Sequence, residues 1–293
     1  MKNFKLQFLL ILSLATTVAY SQLSAVDYTS ENFVRFKASK TYFVKTGNVE
    51  FDNEMQTALT ESWKITPIDV IESKDFDKKL PDASASFLVY IKIESTGPSQ
   101  VYHYLSVING GKKNLNKYSY ESLLAYAPIN FYAGEASVEK SAFRARNIVE
   151  SMVKAMDLVQ KNDIKGSSKK IVDKLRDIYN EKASTIKSRT LLVNQDQIYV
   201  QFMGKKGKSI SKEDFGKIYP GKFEFVSQAR IAEVIKQKSS EYFYLQLTAT
   251  LNKSIFVFDP SNGEVVYFNY KIQGMDIKDD DVEDLRDAIN GKK

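Results

Sequence analysis

Near its start the chain carries Ser39-Lys40-Thr41-Tyr42-Phe43-Val44, and in its second half Ser188-Arg189-Thr190-Leu191-Leu192-Val193. Each is a β-prone run behind a polar and basic lead-in, and reading both as the first strand of one repeated unit decides the fold. Outward from the first run, Asp52 can cap a helix that places Met55, Ala58, Leu59 and Trp63 on one apolar face. Outward from the second, Ser211 opens a shorter helix, Lys212 to Tyr219, with Phe215, Ile218 and Tyr219 at similar spacing. Strands are expected next at Ile65 to Val70 and Phe223 to Val226. Short polar helices then follow at Ser73 to Leu80 and Gln228 to Lys236.

Two β-rich runs come next in both halves: Ser86 to Ile93 with Val101 to Ile108, and Tyr242 to Leu251 with Ser254 to Phe258. Turn signals close them at Asn109-Gly110-Gly111 and at Asp259-Pro260-Ser261-Asn262-Gly263, where Asn and Gly supply the positive φ of tight turns. A last strand and a helix finish each copy, the helices being Val138 to Gln160 and Asp279 to Ile289. The shared order is β-α-β-α-β-β-β-α, which implies an α+β fold of two tandem repeats with mixed sheets and helices packed on one face. The boundaries that follow are a leader over 1–21, a first repeat over 22–162, a helical connector over 163–187 and a second repeat over 188–293.

The helix from Val138 to Gln160 spaces Ala142, Ala145, Val149, Met152, Met156 and Val159 three and four apart. That is a continuous apolar stripe on a rod roughly 35 Å long, and packing against its own sheet is favoured over a coiled-coil partner. After Asn162 to Gly166 a second helix begins near Ser167 or Ser168, with Ile171, Leu175, Ile178 and Tyr179 on one side. It reads as a semi-rigid connector to the second copy.

The first residues have the layout of a secretory leader. Lys2 and Lys5 precede an apolar stretch from Phe8 to Ala19, and small residues at Ala19 and Ser21 predict cleavage before Gln22. Ser13, Thr16 and Thr17 interrupt the stretch, which falls short of the roughly 20 apolar residues a membrane span needs. The expected location is therefore periplasmic or secreted, without a transmembrane span after cleavage. The chain has no cysteine. That excludes disulfide frameworks, thiolate nucleophiles, Cys-ligated zinc and an acylated lipoprotein anchor. A net charge of +6, interleaved along the chain, is a solubility feature and does not point to nucleic acid.

Catalytic constellations are hard to assemble. His103 is the sole histidine, in a strand-like run with Tyr102 and Tyr104, and reads as structural. Gly204-Lys205-Lys206-Gly207-Lys208-Ser209 fails the phosphate-loop motif, because Phe202 stands where its first glycine belongs. A solvated basic loop is the plain reading, although Lys205, Lys206, Lys208 and Lys212 could meet an acidic partner. Asp276, Asp279, Asp280, Asp281, Glu283 and Asp284 lack EF-hand spacing, and acids in a first helical turn are explained by capping and the helix dipole. Neither a metal nor a cofactor is expected. Trp63 is expected to pack in the first core.

The least ordinary surface candidate is the aromatic segment that holds Tyr118, Tyr120, Tyr126, Phe131 and Tyr132. Tyrosine is favoured where one end of a side chain is apolar and the other wet, as at interfaces, and the competing reading is that alternate rings fill a core.

With Tyr42 to Val44, Met55 to Trp63, Ile65 to Val70 and Ser86 to Ile93 in the first copy, the element order resembles the small domain class shared by the TolB N-terminal region and periplasmic LpoB-like and CsgG-like proteins. The resemblance rests on element order and not on a signature motif. It implies a cell-envelope interaction domain without catalytic residues. The expectation is an exported, non-enzymatic protein that binds another macromolecule, an envelope protein or a glycan, through the aromatic segment or the cleft between repeats. The alternative is a carrier that holds a small ligand or glycan in an inter-domain cleft. A dispersed carboxylate site of the glycosidase kind ranks third, and homo-oligomerisation is left open.

Overall fold

The structure is a computed structural model that describes residues 31–94, 101–115, 123–128, 139–195, 201–202, 205–206, 210–249, 252–272 and 276–292. The expected leader over 1–21 lies outside the described residues. A short helix, α1 (Glu31–Lys37), leads into β1 (Lys40–Val44), followed by α2 (Val49–Ser62), β2 (Ile68–Ile71), α3 (Ser73–Lys79), β3 (Ala85–Glu94), β4 (Val101–Asn109) and β5 (Leu123–Pro128). A 3-10 turn over Glu139–Arg144 runs into α4 (Ala145–Lys161), then α5 (Ser168–Asn180) and a second 3-10 turn over Ala183–Ser188. The second half continues with β6 (Thr190–Asn194), the two-residue strands β7 (Gln201–Phe202) and β8 (Lys205–Lys206), α6 (Lys212–Ile218), β9 (Phe223–Val226) and α7 (Gln228–Lys236). It closes with β10 (Tyr242–Ala249), β11 (Asn252–Phe258), β12 (Val265–Ile272) and α8 (Asp279–Ile289).

The two halves share one topology. The first sheet runs β2-β1-β3-β4-β5 and the second β9-β6-β10-β11-β12. In each, the first three strands are parallel and the rest antiparallel. Both sheets are therefore mixed, and the fold is α+β with an internal repeat.

Handedness decides where the helices go. The chain steps from β1 outward to β2, then returns across β1 to β3, so two right-handed crossovers must lie on opposite faces. Accordingly Met55 and Leu59 of α2 share a core with Phe43 and Leu88, while Phe76 of α3 and the adjoining Leu80 share another with Val44 and Phe87. Packing on one face thus holds for the first and last helix of each copy, and the middle helix crosses to the other.

Repetition by sequence and by structure differ by one residue. Thr41 pairs with Ile68, whereas Leu191 pairs with Phe223, so β1 matches β6 as Lys40 to Thr190 rather than as Ser39 to Ser188. A strand has a side-chain period of two, so a one-residue slip would send every side chain to the wrong face. In the shifted register Phe43 and Val193 both face the first and last helices of their copies.

Two local features depart from the sequence pattern. The cap of α2 is Asn48, whose side chain accepts the Phe51 N–H at 2.8 Å. Asp52 lies inside the first turn and instead accepts the N–H groups of Thr46 and Gly47, closing the loop from β1. Strand β2 begins only after Pro67, three residues later than the apolar run suggested, since proline has no N–H for the ladder.

One apolar cluster joins both copies. It holds Phe43, Leu105 and Val107 from the first sheet, Leu192, Tyr244 and Phe256 from the second, and helices α2, α4, α5 and α7. Ala142, Ala145, Val149, Met152, Met156 and Val159 are all buried, although Ala142 lies in the 3-10 turn and the α-helix starts at Ala145, shorter than the rod expected from Val138. Ile148, Ser151 and Ala155 are buried too, because α4 is enclosed between two sheets. The counterpart α8 buries one face only, Asp281, Val282, Leu285 and Ile289, as an outer helix does. Segment 163–187 is likewise integrated: Ile171, Val172, Leu175 and Tyr179 are buried, and Asn180 accepts the Phe268 N–H at 2.9 Å. It is a packed layer of the second sheet rather than a connector.

Candidate interaction site

The junction between the copies gathers a chain of buried polar side chains. Arg144 ends the 3-10 turn and is buried with its guanidinium 5.9 Å from the Phe258 ring centre. Burial lowers its pKa, opposed by the hydrogen bond to Tyr244. Burial in turn pushes the Tyr244 hydroxyl up to about 12, and that hydroxyl donates to Asn147 at 3.0 Å. Asn147 reaches Glu150 at 3.0 Å, and Glu150 meets Arg146 at 2.8 Å.

The β11–β12 turn docks on this same side of α4. Arg146 donates to the Ser261 carbonyl at 3.2 Å and Lys154 to Asn262 at 2.8 Å. Gly263, at φ +67°, allows the approach, because a Cβ there would sit 2.6 Å from that of Glu150. Arg189 anchors the turn from the other side through Asp259 at 2.8 Å.

Arg144, Ser151, Gln246, Thr248 and Phe258 line a cavity of about 10 Å³ in this junction. That is room for about one water, against the roughly 300 to 1,000 Å³ of a small-molecule site. Arg144, Asn147 and Tyr244 were missed in the sequence. The available signal was polar residues, Asn147, Glu150 and Ser151, interrupting a helix that is otherwise apolar on two sides.

The acidic group is answered by lysines from neighbouring strands. Lys253 is buried against Asp281 and donates to the Asp276 carbonyl at 2.9 Å. Lys271 lies 2.8 Å from Asp280, 3.2 Å from Asp281 and 2.7 Å from Asp284. Burial works against the charge on Lys271, yet its hydrogen bonds to Asp280 and Asp284 and the Asp281 charge hold its pKa above the usual lysine range. The hydrogen bond from Lys271 holds Asp280 below the usual carboxylate range. Asp281 also accepts the Lys278 N–H at 2.8 Å, which fixes the start of α8. The cluster therefore clamps a helix to its sheet.

Of the aromatic segment, Tyr126 alone falls among the described residues. It is buried in β5 and meets Tyr104 edge-on at 5.6 Å between ring centres, so it fills the core rather than facing a partner. Tyr118, Tyr120, Phe131 and Tyr132 lie outside the described residues. Trp63 packs in the first core, as expected, with its indole N–H donating to Thr66 at 3.0 Å. His103 stands in β4 opposite Lys92. Of the basic loop, Lys205 and Lys206 form β8, paired with β7, and Lys212 opens α6, while Gly204, Gly207, Lys208 and Ser209 fall outside the described residues. Among the described residues no helix is long and apolar enough to cross a membrane. No family model, curated protein or solved structure matches the chain.

Proposed function

We propose that the protein is exported and acts, in the periplasm or secreted fraction, as a non-enzymatic binding or assembly protein whose ligand is another macromolecule. The observation that carries this reading is the closed junction. Two repeats share one apolar core, and the cavity at their junction beside Arg144, Gln246 and Thr248 holds about one water. Recognition then falls to the outer surface, where it suits a macromolecule better than a small ligand. The leader-like residues 1–21 and the resemblance to the TolB, LpoB-like and CsgG-like class support an envelope setting. With Tyr126 committed to the core, a role for the aromatic segment rests on Tyr118, Tyr120, Phe131 and Tyr132.

The test is chemical crosslinking in envelope extract, comparing wild type with a folded Tyr118/Tyr120/Tyr132→Ala variant, alongside a thermal-shift screen of glycans and small metabolites. One protein captured by the wild type and lost in the variant supports the reading. A small ligand that raises the melting temperature by several degrees, with no protein captured, overturns it in favour of a carrier.

A further inference from the structure

Each sheet ends in a four-residue parallel strand, and the duplication makes those ends a controlled comparison. In the first sheet, Thr41 N–H bonds the Pro67 carbonyl at 2.8 Å and Lys45 N–H the Ile71 carbonyl at 3.0 Å, so the peptide groups of Ile68 and Val70 face away from the sheet. One outward donor of that edge is taken: Asp69 Oδ1 accepts the Val70 N–H at 2.8 Å, and Lys40 holds the same carboxylate group at 3.1 Å. In the second sheet, Leu191 N–H bonds the Lys222 carbonyl at 2.9 Å, which turns the peptide groups of Phe223 and Phe225 outward. Glu224 occupies the position of Asp69 but is one methylene longer, and it does not take the Phe225 N–H. Among the described residues, no hydrogen bond reaches the outward N–H or C=O of Phe223 or Phe225.

The other two edges do not offer this. On β12, Asn180 and Asn269 accept the N–H groups of Phe268 and Tyr270, each at 2.9 Å. On β5, Leu123 to Ala127 are buried. Unpaired strand edges recruit other strands unless charge, proline or side-chain bonding blunts them.

We propose that β9 is a strand-addition site for an extended segment of another polypeptide. The inference deepens the macromolecule-binding reading and rests on it. Outward N–H and C=O groups two residues apart are the complement of another strand's backbone. Half-buried Phe223 and Phe225, packed on Phe215, call for apolar residues directly across from them. Exposed Glu224, on the opposite face, calls for a lysine or arginine between those two. The preferred segment is apolar-basic-apolar in extended form.

The probe is a fluorescent, end-blocked peptide with a valine-lysine-valine centre, titrated into the purified protein by anisotropy beside an analogue N-methylated at both valines. Phe225→Pro removes an N–H that the ladder to β6 does not use, so the fold should persist while affinity drops about tenfold or more. Glu224→Asp should copy the Asp69 hydrogen bond and weaken binding by roughly fivefold. Glu224→Lys should reverse the preference toward a glutamate-centred peptide. Circular dichroism and melting temperature establish that each variant is folded. Wild type that binds the peptide no better than folded Phe225→Pro, or no better than the N-methylated analogue, overturns the proposal. Self-association abolished by Phe225→Pro overturns it in favour of a second copy. If crosslinking captures a partner that Phe225→Pro still binds fully, the edge proposal fails and the macromolecular reading stands.

Discussion

Replacing Lys253 by methionine removes a charge while keeping most of the side-chain volume, so it isolates the electrostatic part of the clamp on α8. Lys253 and Asp281 have side chains 3% and 0% exposed. Deleting one member of such a pair costs about 3 to 5 kcal/mol, because the survivor is left charged in a place it cannot hydrate. Asp281 retains the Lys278 N–H at 2.8 Å and Lys271 at 3.2 Å, which places the expectation at the low end, about 3 kcal/mol. Lys253→Met/Asp281→Asn leaves no stranded charge and keeps an acceptor for the Lys278 N–H, so it should recover half of the loss or more. Lys40→Met serves as the control, since it breaks a pair whose side chains are 48% and 58% exposed and should cost at most about 1 kcal/mol. Urea unfolding followed by circular dichroism reads the difference as a shift in midpoint at constant slope. If Lys253→Met unfolds within about 1 kcal/mol of wild type, level with Lys40→Met, the clamp is not what holds α8 and the reasoning fails.

Met152 is fully buried on α4, in the core that both sheets share. Met152→Ala should cost about 2 to 5 kcal/mol and lower one calorimetric transition, whereas two separate transitions would refute a common core. At alkaline pH, burial raises the pKa of Tyr179, Tyr219, Tyr244 and Tyr267. Their folded values exceed the unfolded ones, so the stability they contribute is fully present below about pH 10 and is lost as pH rises above it. Tyr244, pushed up to about 12, accounts for roughly 3 kcal/mol of that loss. Urea midpoints at pH 8 and pH 11 check the sign, and Tyr244→Phe should show a smaller drop between them.

Much of the fold could be read locally. Phe223 to Val226, Gln228 to Lys236 and Asp279 to Ile289 formed over the expected residues, because period and capping are short-range properties. The duplication was legible as element order, yet its register was not. The similarity between Ser39–Val44 and Ser188–Val193 is a matter of composition, while the face each side chain takes is set by the helices above and below it. Strand β2 shows the same limit, since its apolar run begins before Pro67 and its ladder after.

The candidate sites divide along the same line. Sequence alone determined the α+β class, the repeat and the lack of any cysteine, and it placed the acids at the start of a helix. Tertiary structure decided that Lys253 and Lys271 would answer those acids, that Tyr126 would be core, and that α4 would be buried on two sides. It also decided that Asp69 takes the outward Val70 N–H on one sheet edge while Glu224 leaves the equivalent Phe225 N–H open. A periodic pattern specifies one buried face, but a second buried face, or a charge partner from a distant strand, exists only once the chain has folded back on itself.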